Sequence, residues 1–168
     1  TRRLQCSLRV QRQMCLRYST GEEEMVLELD NDRYLWWFDS GDIHHPDLAR
    51  KILSICQQTP WVKHWIPTRS HKIPKIYDVL EQIRSLPNVA VRYSSDSVMG
   101  DYSELHGSTI IPTSTTEDEN LSVCPSHQHE GKCKGCRKCW DKNVNIIAYP
   151  AHGKSMIKII REINEKGD

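Results

Sequence analysis

The sequence predicts an α/β fold in which mostly parallel strands form a partial, open β/α barrel. Short apolar segments of strand composition alternate with amphipathic segments of helical period, which is the pattern of βαβ units. About five or six strands are expected, too few for a closed eight-stranded barrel, which takes about 250 residues. A chain of 168 residues suffices for one sizeable core. We therefore expect a single α/β domain over residues 1–168.

The first half of the chain is predicted to alternate strands with helices. Periodicity and composition assign a helix over Arg3–Arg17, a strand over Glu24–Leu29, an uncharged aromatic strand over Tyr34–Phe38, a helix from Pro46, a strand over Trp61–Ile66 and a helix from Pro74. The aromatic strand is suited to burial on both faces. The two proline-initiated helices carry apolar stripes, which are Leu48, Ile52, Ile55 and Cys56 in one and Ile76, Val79, Leu80 and Ile83 in the other.

The second half continues this alternation but contains a long polar interruption. Strands are predicted over Val89–Tyr93, Thr109–Ile111 and Val144–Tyr149, with a polar loop over residues 112–120. A final amphipathic helix is expected over Ser155–Glu165. Between the loop and the last strand lies a cysteine-rich insertion, about residues 120–142, which we call the cysteine window.

Polar side chains follow three of the predicted strands. They are Asp39, Ser40 and Asp42 after the aromatic strand, Thr68 and Arg69 after the next, and Ser94, Ser95 and Asp96 after the third. Carboxyl ends of parallel strands meet at one edge, so these residues predict a rim that binds a small ligand. Asp42 or Asp96 as general base and Arg69 as anion clamp are the candidate catalytic residues. Equally, Ser, Thr and Asp at these positions are typical helix N-caps.

Four of the seven cysteines fall within sixteen consecutive residues. Cys124 is followed by Cys133 after eight residues, and Cys136 and Cys139 each follow after two more. An odd number of cysteines without a secretion signal does not suggest a disulfide framework. Three cysteines at successive three-residue intervals can place their thiols around one metal ion or cluster. The cysteine window therefore predicts a metal centre near the carboxyl end of the chain.

The spacing favours a [4Fe–4S] cluster over zinc. Short Cys-x2-Cys-x2-Cys runs occur in bacterial ferredoxins, where the thiolates hold iron. Zinc sites more often use two pairs of ligands separated by a dozen or more residues. Zinc stays the alternative, because His127 and His129 lie between the first two cysteines and can complete a zinc site with two or three thiolates.

The residues around the cysteines suit a thiolate-rich centre. Four basic side chains would offset its negative charge, namely Lys132, Lys134, Arg137 and Lys138. Gly131 and Gly135 permit tight turns, and Trp140 is placed to shield a cluster from water. Thiols without a metal in such a basic loop would be reactive and prone to oxidation.

Three motifs carry a resemblance to a known family. They are Trp36–Asp42 (WWFDSGD), Trp65–Arg69 (WIPTR) and the cysteine window with the following Tyr149–Lys154 (YPAHGK). Together they resemble the phage-borne gene product eighty-eight family, whose members resemble cut-down radical-SAM barrels. The resemblance implies a partial barrel, an iron–sulfur cluster on Cys124, Cys133, Cys136 and Cys139, and a shared rim site with Asp42, Thr68 and Arg69. The Cys-x3-Cys-x2-Cys motif of radical-SAM enzymes is missing, so the resemblance supplies no reaction.

Charge and hydropathy bear on whether the protein binds nucleic acid or a membrane and on where it is located. The 23 basic and 22 acidic residues nearly cancel, so no global field favours nucleic acid or membranes. Thr1–Tyr18 holds five arginines and no acidic residue, which indicates a solvated basic helix face or a phosphate-binding arm. No stretch suits a membrane span or a signal peptide, so we expect a cytoplasmic protein, in the host cytoplasm if phage-encoded. The lack of an initial methionine is expected of a segment from a longer protein.

Besides an enzyme that acts at the rim through Asp42 or Asp96 and Arg69, two functions remain open from the sequence. The first is an iron–sulfur protein with a redox or structural [4Fe–4S] centre, served by a redox partner or by a small ligand at the strand-end rim. The alternative is a module that binds nucleic acid or protein, in which a structural zinc ion holds the cysteine window together.

Overall fold

The computed structural model describes residues 21–38 and 41–167, and the chain divides into two compact units between Val91 and Arg92. Helices and short parallel strands form both units, which confirms the predicted α/β class. The strands lie in two small open sheets, and neither sheet closes on itself. The partial barrel and the single domain stay predictions. The helix predicted over Arg3–Arg17 lies outside the described residues. In the described range, no helix combines the length and apolarity that a membrane span requires.

The first unit places three strands in one sheet beside three helices. Its elements are α1 (Gly21–Glu28), β1 (Tyr34–Trp36), α2 (Pro46–Gln58), β2 (Lys63–Thr68), α3 (Pro74–Ser85) and the start of β3 (Val89–Tyr93). The strand order is β1-β2-β3, and β1 runs parallel to β2. Helix α2 begins where the sequence predicts, after His45, whose ring accepts a hydrogen bond from the Asp47 N–H at 3.2 Å.

Two of the expectations for this unit are wrong. The strand predicted over Glu24–Leu29 is replaced by helix α1. Met25 and Leu29 are both buried, and their spacing of four residues places them on the same face of a helical turn. The glutamates of the first turn also favour a helix amino terminus at this position. The aromatic strand is also shorter than predicted, because Phe38 adopts a left-handed φ of 57°. It is not buried on both faces, since Tyr34 is 46% exposed.

The two proline-initiated helices supply the core of the first unit. Ile52 and Ile55 of α2 and Leu80 and Ile83 of α3 are fully buried, and the two helices pack on each other. These residues belong to the predicted stripes, which are confirmed except at Leu48, which is only half-buried. Each such side chain contributes about 1.5–3 kcal/mol through burial.

A buried polar network fixes the protonation of His64 in this core. The Trp37 indole N–H donates to Nδ1 of His64 at 3.1 Å, and Nε2 lies 2.9 Å from the Thr59 hydroxyl. That hydroxyl gives its own proton to the carbonyl of Ile55 at 2.6 Å. Nε2 must therefore carry the imidazole hydrogen, so the ring is neutral and both nitrogens are satisfied. Burial lowers the pKa of His64 to about 4.

The second unit is a parallel sheet followed by a helix. Its elements are β4 (Ser108–Ile111), β5 (Leu121–Val123), β6 (Ile146–Pro150) and α4 (Lys154–Gly167). The order β4-β6-β5 makes β6 the central strand, parallel to both neighbours. Ile146, Ile147 and Ala148 are buried in succession, as expected of a strand covered on both faces. The sequence does not predict β5, which opens the cysteine window.

Helix α4 confirms the predicted final helix, but its apolar face is only partly covered. Ile160 is buried, whereas Ile157, Ile159 and Ile163 are each more than 40% exposed.

Candidate metal centre

Cys124 is held at the end of strand β5. Its N–H donates to the Ala148 carbonyl of the central strand at 2.8 Å, which extends the ladder between β5 and β6 by one bond. The side chain is 9% exposed, and its Sγ donates to the Ser126 hydroxyl at 3.2 Å. The sheet therefore fixes the backbone of the first predicted ligand.

The loop after Cys124 turns sharply at the two predicted glycines. Gly131 has a φ of 74° and Gly135 a φ of 88°, both in the left-handed region that favours glycine. Around Gly135, the N–H of Cys136 donates to the carbonyl of Cys133 at 2.7 Å and closes a tight turn. Cys133 is exposed and Cys136 is half-buried. These two thiols are thus carried on a surface turn.

Cys139 is buried through a contact that the sequence does not reveal. Arg92, in strand β3, is 3% exposed, and its guanidinium donates to six main-chain carbonyls. The acceptors are Cys139 at 2.9 Å, Gly107 at 3.3 Å, Lys138 at 3.0 Å, Asp141 at 2.7 Å, Val144 at 3.1 Å and Asn145 at 3.4 Å. Five of these six belong to the end of the cysteine window or the residues just after it. The buried guanidinium therefore holds the backbone around Cys139.

Tyr149 contacts the sulfur of Cys139. The phenol oxygen lies 3.5 Å from Sγ. Burial raises the pKa of Cys139 to about 11, while the Tyr149 hydrogen bond and the Arg92 charge act to lower it. Unliganded thiols in this basic loop are predicted to be reactive. For Cys139, burial acts against this expectation, because it disfavours the thiolate.

The four predicted ligands share one region of the second unit without forming a finished site. Negative charge on Cys124 or Cys133 would raise the pKa of Cys139, so both of these thiols lie near it. All of the cysteines in the described range, including Cys56 in the first unit, are free thiols. Across residues 21–38 and 41–167, no group of three or more Cys, His, Asp or Glu side chains is arranged to hold a metal ion. The donor chemistry suits a thiophilic metal, and the coordination geometry is not formed.

His127 has the tautomer of a metal-binding histidine. Its Nδ1 lies 2.9 Å from the Cys124 carbonyl. A carbonyl only accepts, so Nδ1 carries the hydrogen and Nε2 presents a lone pair. Metal-ligating histidines commonly donate their other ring N–H to a carbonyl in this way. This orientation is compatible with the zinc alternative.

The basic side chains of the cysteine window are exposed. Lys132 pairs with Glu130 at 2.9 Å, and Lys138 donates to the Ser122 hydroxyl at 2.9 Å. The Arg137 guanidinium lies 5.6 Å from the ring centroid of Trp140, a cation–π distance. Trp140 is therefore covered in part by a cation.

The rim candidates of the first unit converge on Asp42. Its Oδ1 accepts hydrogen bonds from the Thr68 hydroxyl at 2.5 Å and from the Ile43 N–H at 2.7 Å. Its Oδ2 accepts from the Arg69 N–H at 2.7 Å, while the Arg69 side chain is exposed. The structure thus brings Asp42, Thr68 and Arg69 together. The N-cap interpretation is wrong for Asp42, because His45 caps α2.

Of the remaining rim candidates, the structure describes Ser94, Ser95 and Asp96. Asp39 and Ser40 are outside the described residues. Asp96 belongs to the second unit and is exposed. Next to it, the Ser95 hydroxyl donates to the Asp101 carbonyl at 2.7 Å and so orders the loop after β3.

Comparison with known proteins identifies one family. The family model described as gene product 88 matches residues 2–142, which is most of the chain and includes the whole cysteine window. No curated protein and no solved structure gives a significant match. Because the family model covers far more than half of the sequence, the chain belongs to the gene product 88 family of phage proteins.

Proposed function

We propose that this protein binds a metal centre through Cys124, Cys133, Cys136 and Cys139, and that a [4Fe–4S] cluster is its occupant. The observation that carries the proposal is that Cys124 and Cys139, fifteen residues apart in sequence, both contact strand β6. The Cys124 N–H donates to the Ala148 carbonyl at 2.8 Å, and Sγ of Cys139 lies 3.5 Å from the Tyr149 hydroxyl. Both residues carry thiols, which are the ligands that iron–sulfur clusters use.

The local charges support an anionic centre. Four thiolates around a [4Fe–4S] core in its oxidised state give a net charge of about −2. Arg92 places a buried cation beside Cys139, and the exposed lysines and arginine of the cysteine window surround the loop with further positive charge. A buried charge is stabilised when an opposite charge lies near it. Thiolates at Cys139 and its neighbours would provide that charge for Arg92.

The ligand count favours a redox or structural role. A bound cluster of this kind supplies one-electron transfer. Four cysteine ligands saturate its iron atoms, so no iron stays open to bind a substrate. The protein would hold the cluster through its two buried cysteines, Cys124 and Cys139, and close the exposed turn of Cys133 and Cys136 over it.

Metal analysis of protein purified without oxygen tests the proposal. We expect about four irons and four sulfides per chain, broad visible absorption, and bleaching by dithionite with a matching change in the EPR spectrum. Colourless protein with one zinc per chain would refute the iron–sulfur cluster. It would favour a zinc-stapled module, with His127 as a candidate ligand and the exposed basic side chains as the surface to test for nucleic-acid or protein binding.

Cysteine variants show whether the four predicted ligands hold the metal. Cys124→Ser and Cys136→Ser are each expected to lose most of the bound iron. Cys56→Ala is the matched control, since Cys56 is a free, buried thiol of the first unit. Iron content that fell equally in all three variants would indicate general destabilisation and would contradict the assignment of ligands.

A further inference from the structure

Tyr149 is placed by the central strand of the second sheet. It lies in β6, where its backbone pairs with Ile110 of β4. Its hydroxyl is 3.5 Å from Sγ of Cys139. A phenol keeps its proton at neutral pH, so the hydroxyl can act as a hydrogen-bond donor.

Cys139 is the cysteine of the window whose surroundings are most completely built. Arg92 fixes its carbonyl at 2.9 Å, and the carbonyls of Lys138 and Asp141 on either side accept from the same guanidinium. The thiol is 6% exposed, so water competes little for its lone pairs. A donor aimed at this sulfur gains strength from the low local dielectric. Cys139 is therefore buried and its backbone is held by hydrogen bonds, unlike a free thiol on the protein surface.

We propose that Tyr149 is a functional residue of the metal centre, donating a hydrogen bond from its hydroxyl to the Cys139 thiolate that binds the metal. The inference rests on the proposed function, because it requires Cys139 to be a ligand. The hydrogen bond stabilises negative charge on the sulfur and so tunes both metal affinity and the energy of the sulfur electrons. Arg92 serves the same ligand by holding its backbone in place.

Cobalt(II) titration of the metal-free, reduced protein is the test, because thiolate–cobalt bonds give a charge-transfer band in the near ultraviolet. Tyr149→Phe removes only the hydroxyl. We expect it to weaken Co²⁺ binding by about 10–100-fold, the usual effect of losing a group that orients a ligand. We also expect the band to move to lower energy, because the sulfur electrons are no longer stabilised. In iron-loaded protein, the reduction potential should become more negative.

Tyr102→Phe is the matched control in the same unit. Its hydroxyl also makes a side-chain hydrogen bond, but to the Asp118 carboxylate at 2.7 Å instead of to a sulfur. This variant should retain the wild-type cobalt affinity and band position. Far-ultraviolet circular dichroism establishes that both variants are folded.

The outcomes separate the two proposals. Wild-type binding of Co²⁺ with a thiolate band that Tyr149→Phe leaves unchanged in affinity and energy would overturn the role of Tyr149 and leave the cysteine centre intact. Wild-type protein that binds Co²⁺ without a thiolate band, or not at all, would overturn the cysteine centre itself. An equal loss in Tyr102→Phe would show that the effect is not specific to the sulfur and would also overturn the role of Tyr149.

Discussion

Acidification should destabilise the first unit through His64. This histidine is fully buried and neutral, with Nδ1 accepting from Trp37 and Nε2 donating to Thr59. A proton added at Nδ1 would face the indole N–H, so the folded state resists protonation. The unfolded chain takes up the proton at an ordinary pKa of 6.5, whereas the folded protein does so only near about 4. Between these values the unfolded state binds more protons, so stability falls as the pH falls.

The size of the effect follows from the two pKa values. The difference between 6.5 and about 4 corresponds to about 3 kcal/mol. This contribution is fully present above pH 6.5 and is lost progressively until the pH reaches about 4. Lowering the pH from 7 to 5 should therefore remove about 2 kcal/mol of unfolding free energy through this one group.

Urea unfolding followed by tryptophan fluorescence measures this loss. Four of the five tryptophans belong to the first unit, so the signal reports mainly on its unfolding. We compare wild type with His64→Asn, whose side chain does not titrate and whose oxygen can still accept from Trp37. The variant will be less stable at every pH, but its stability should fall less steeply between pH 7 and 5. His152→Asn, at an exposed histidine, is the control.

The refuting result is a pH dependence that His64→Asn leaves unchanged. Other carboxylates and histidines also titrate in this range, and such a result would assign the whole acid sensitivity to them. It would mean that His64 takes up its proton at the same pH in the folded and unfolded states, with the Trp37 hydrogen bond absent. If His152→Asn reduced the slope as much as His64→Asn does, burial would not be the cause.

Three further predictions concern packing, a loop and a thiol. Gly107→Ala should lower the stability of the second unit by about 1–3 kcal/mol in urea unfolding, because its new methyl would lie 3.0 Å from Cα of Arg92. Unchanged stability would show that the backbone at Gly107 and strand β3 can move apart at little cost. Asp42→Ala should cost about 1–3 kcal/mol, since the Thr68 hydroxyl and two N–H groups lose their acceptor, whereas Asp42→Asn should cost less. Cys56 should resist iodoacetamide in folded protein, as judged by mass spectrometry, because burial raises its pKa; rapid labelling would contradict its burial.

Local sequence patterns were sufficient to predict a helix or strand wherever one face of that element packs on the core. The stripes of α2 and α3 were predicted from apolar spacing, since helices of 12 and 13 residues have a period that few alternatives imitate. Strand β3 was predicted with its observed bounds, Val89–Tyr93. The segment before Asp30 was assigned wrongly because the spacing of Met25 and Leu29 suits a helix, whereas the intervening Val26 and Leu27 suggest a strand. Leu27 is 76% exposed, so the apparent apolar run does not mark a buried strand.

The candidate site was predicted in its ligands but not in its supports. The cysteines could be found because their spacing is a property of the sequence alone. Arg92 could not, because the Cys139 and Asp141 carbonyls that hold it lie 47 and 49 residues further along the chain. The one available signal was a charge within an otherwise apolar strand. Such a residue is more often taken as an exposed position of a half-buried strand.

The cysteines are found from the sequence, whereas Arg92 is brought to them by the fold. The electrostatics of the site therefore depends on the fold as well as on the cysteine motif. The basic residues inside the cysteine window are exposed, so water and salt screen their charges strongly. Arg92 is a single charge, but it is buried against the Cys139 backbone, where screening is weak. One buried cation can therefore influence Cys139 more than several exposed ones. A basic motif alone overstates the role of the lysines, and the positive charge that acts to lower the pKa of Cys139 belongs to Arg92.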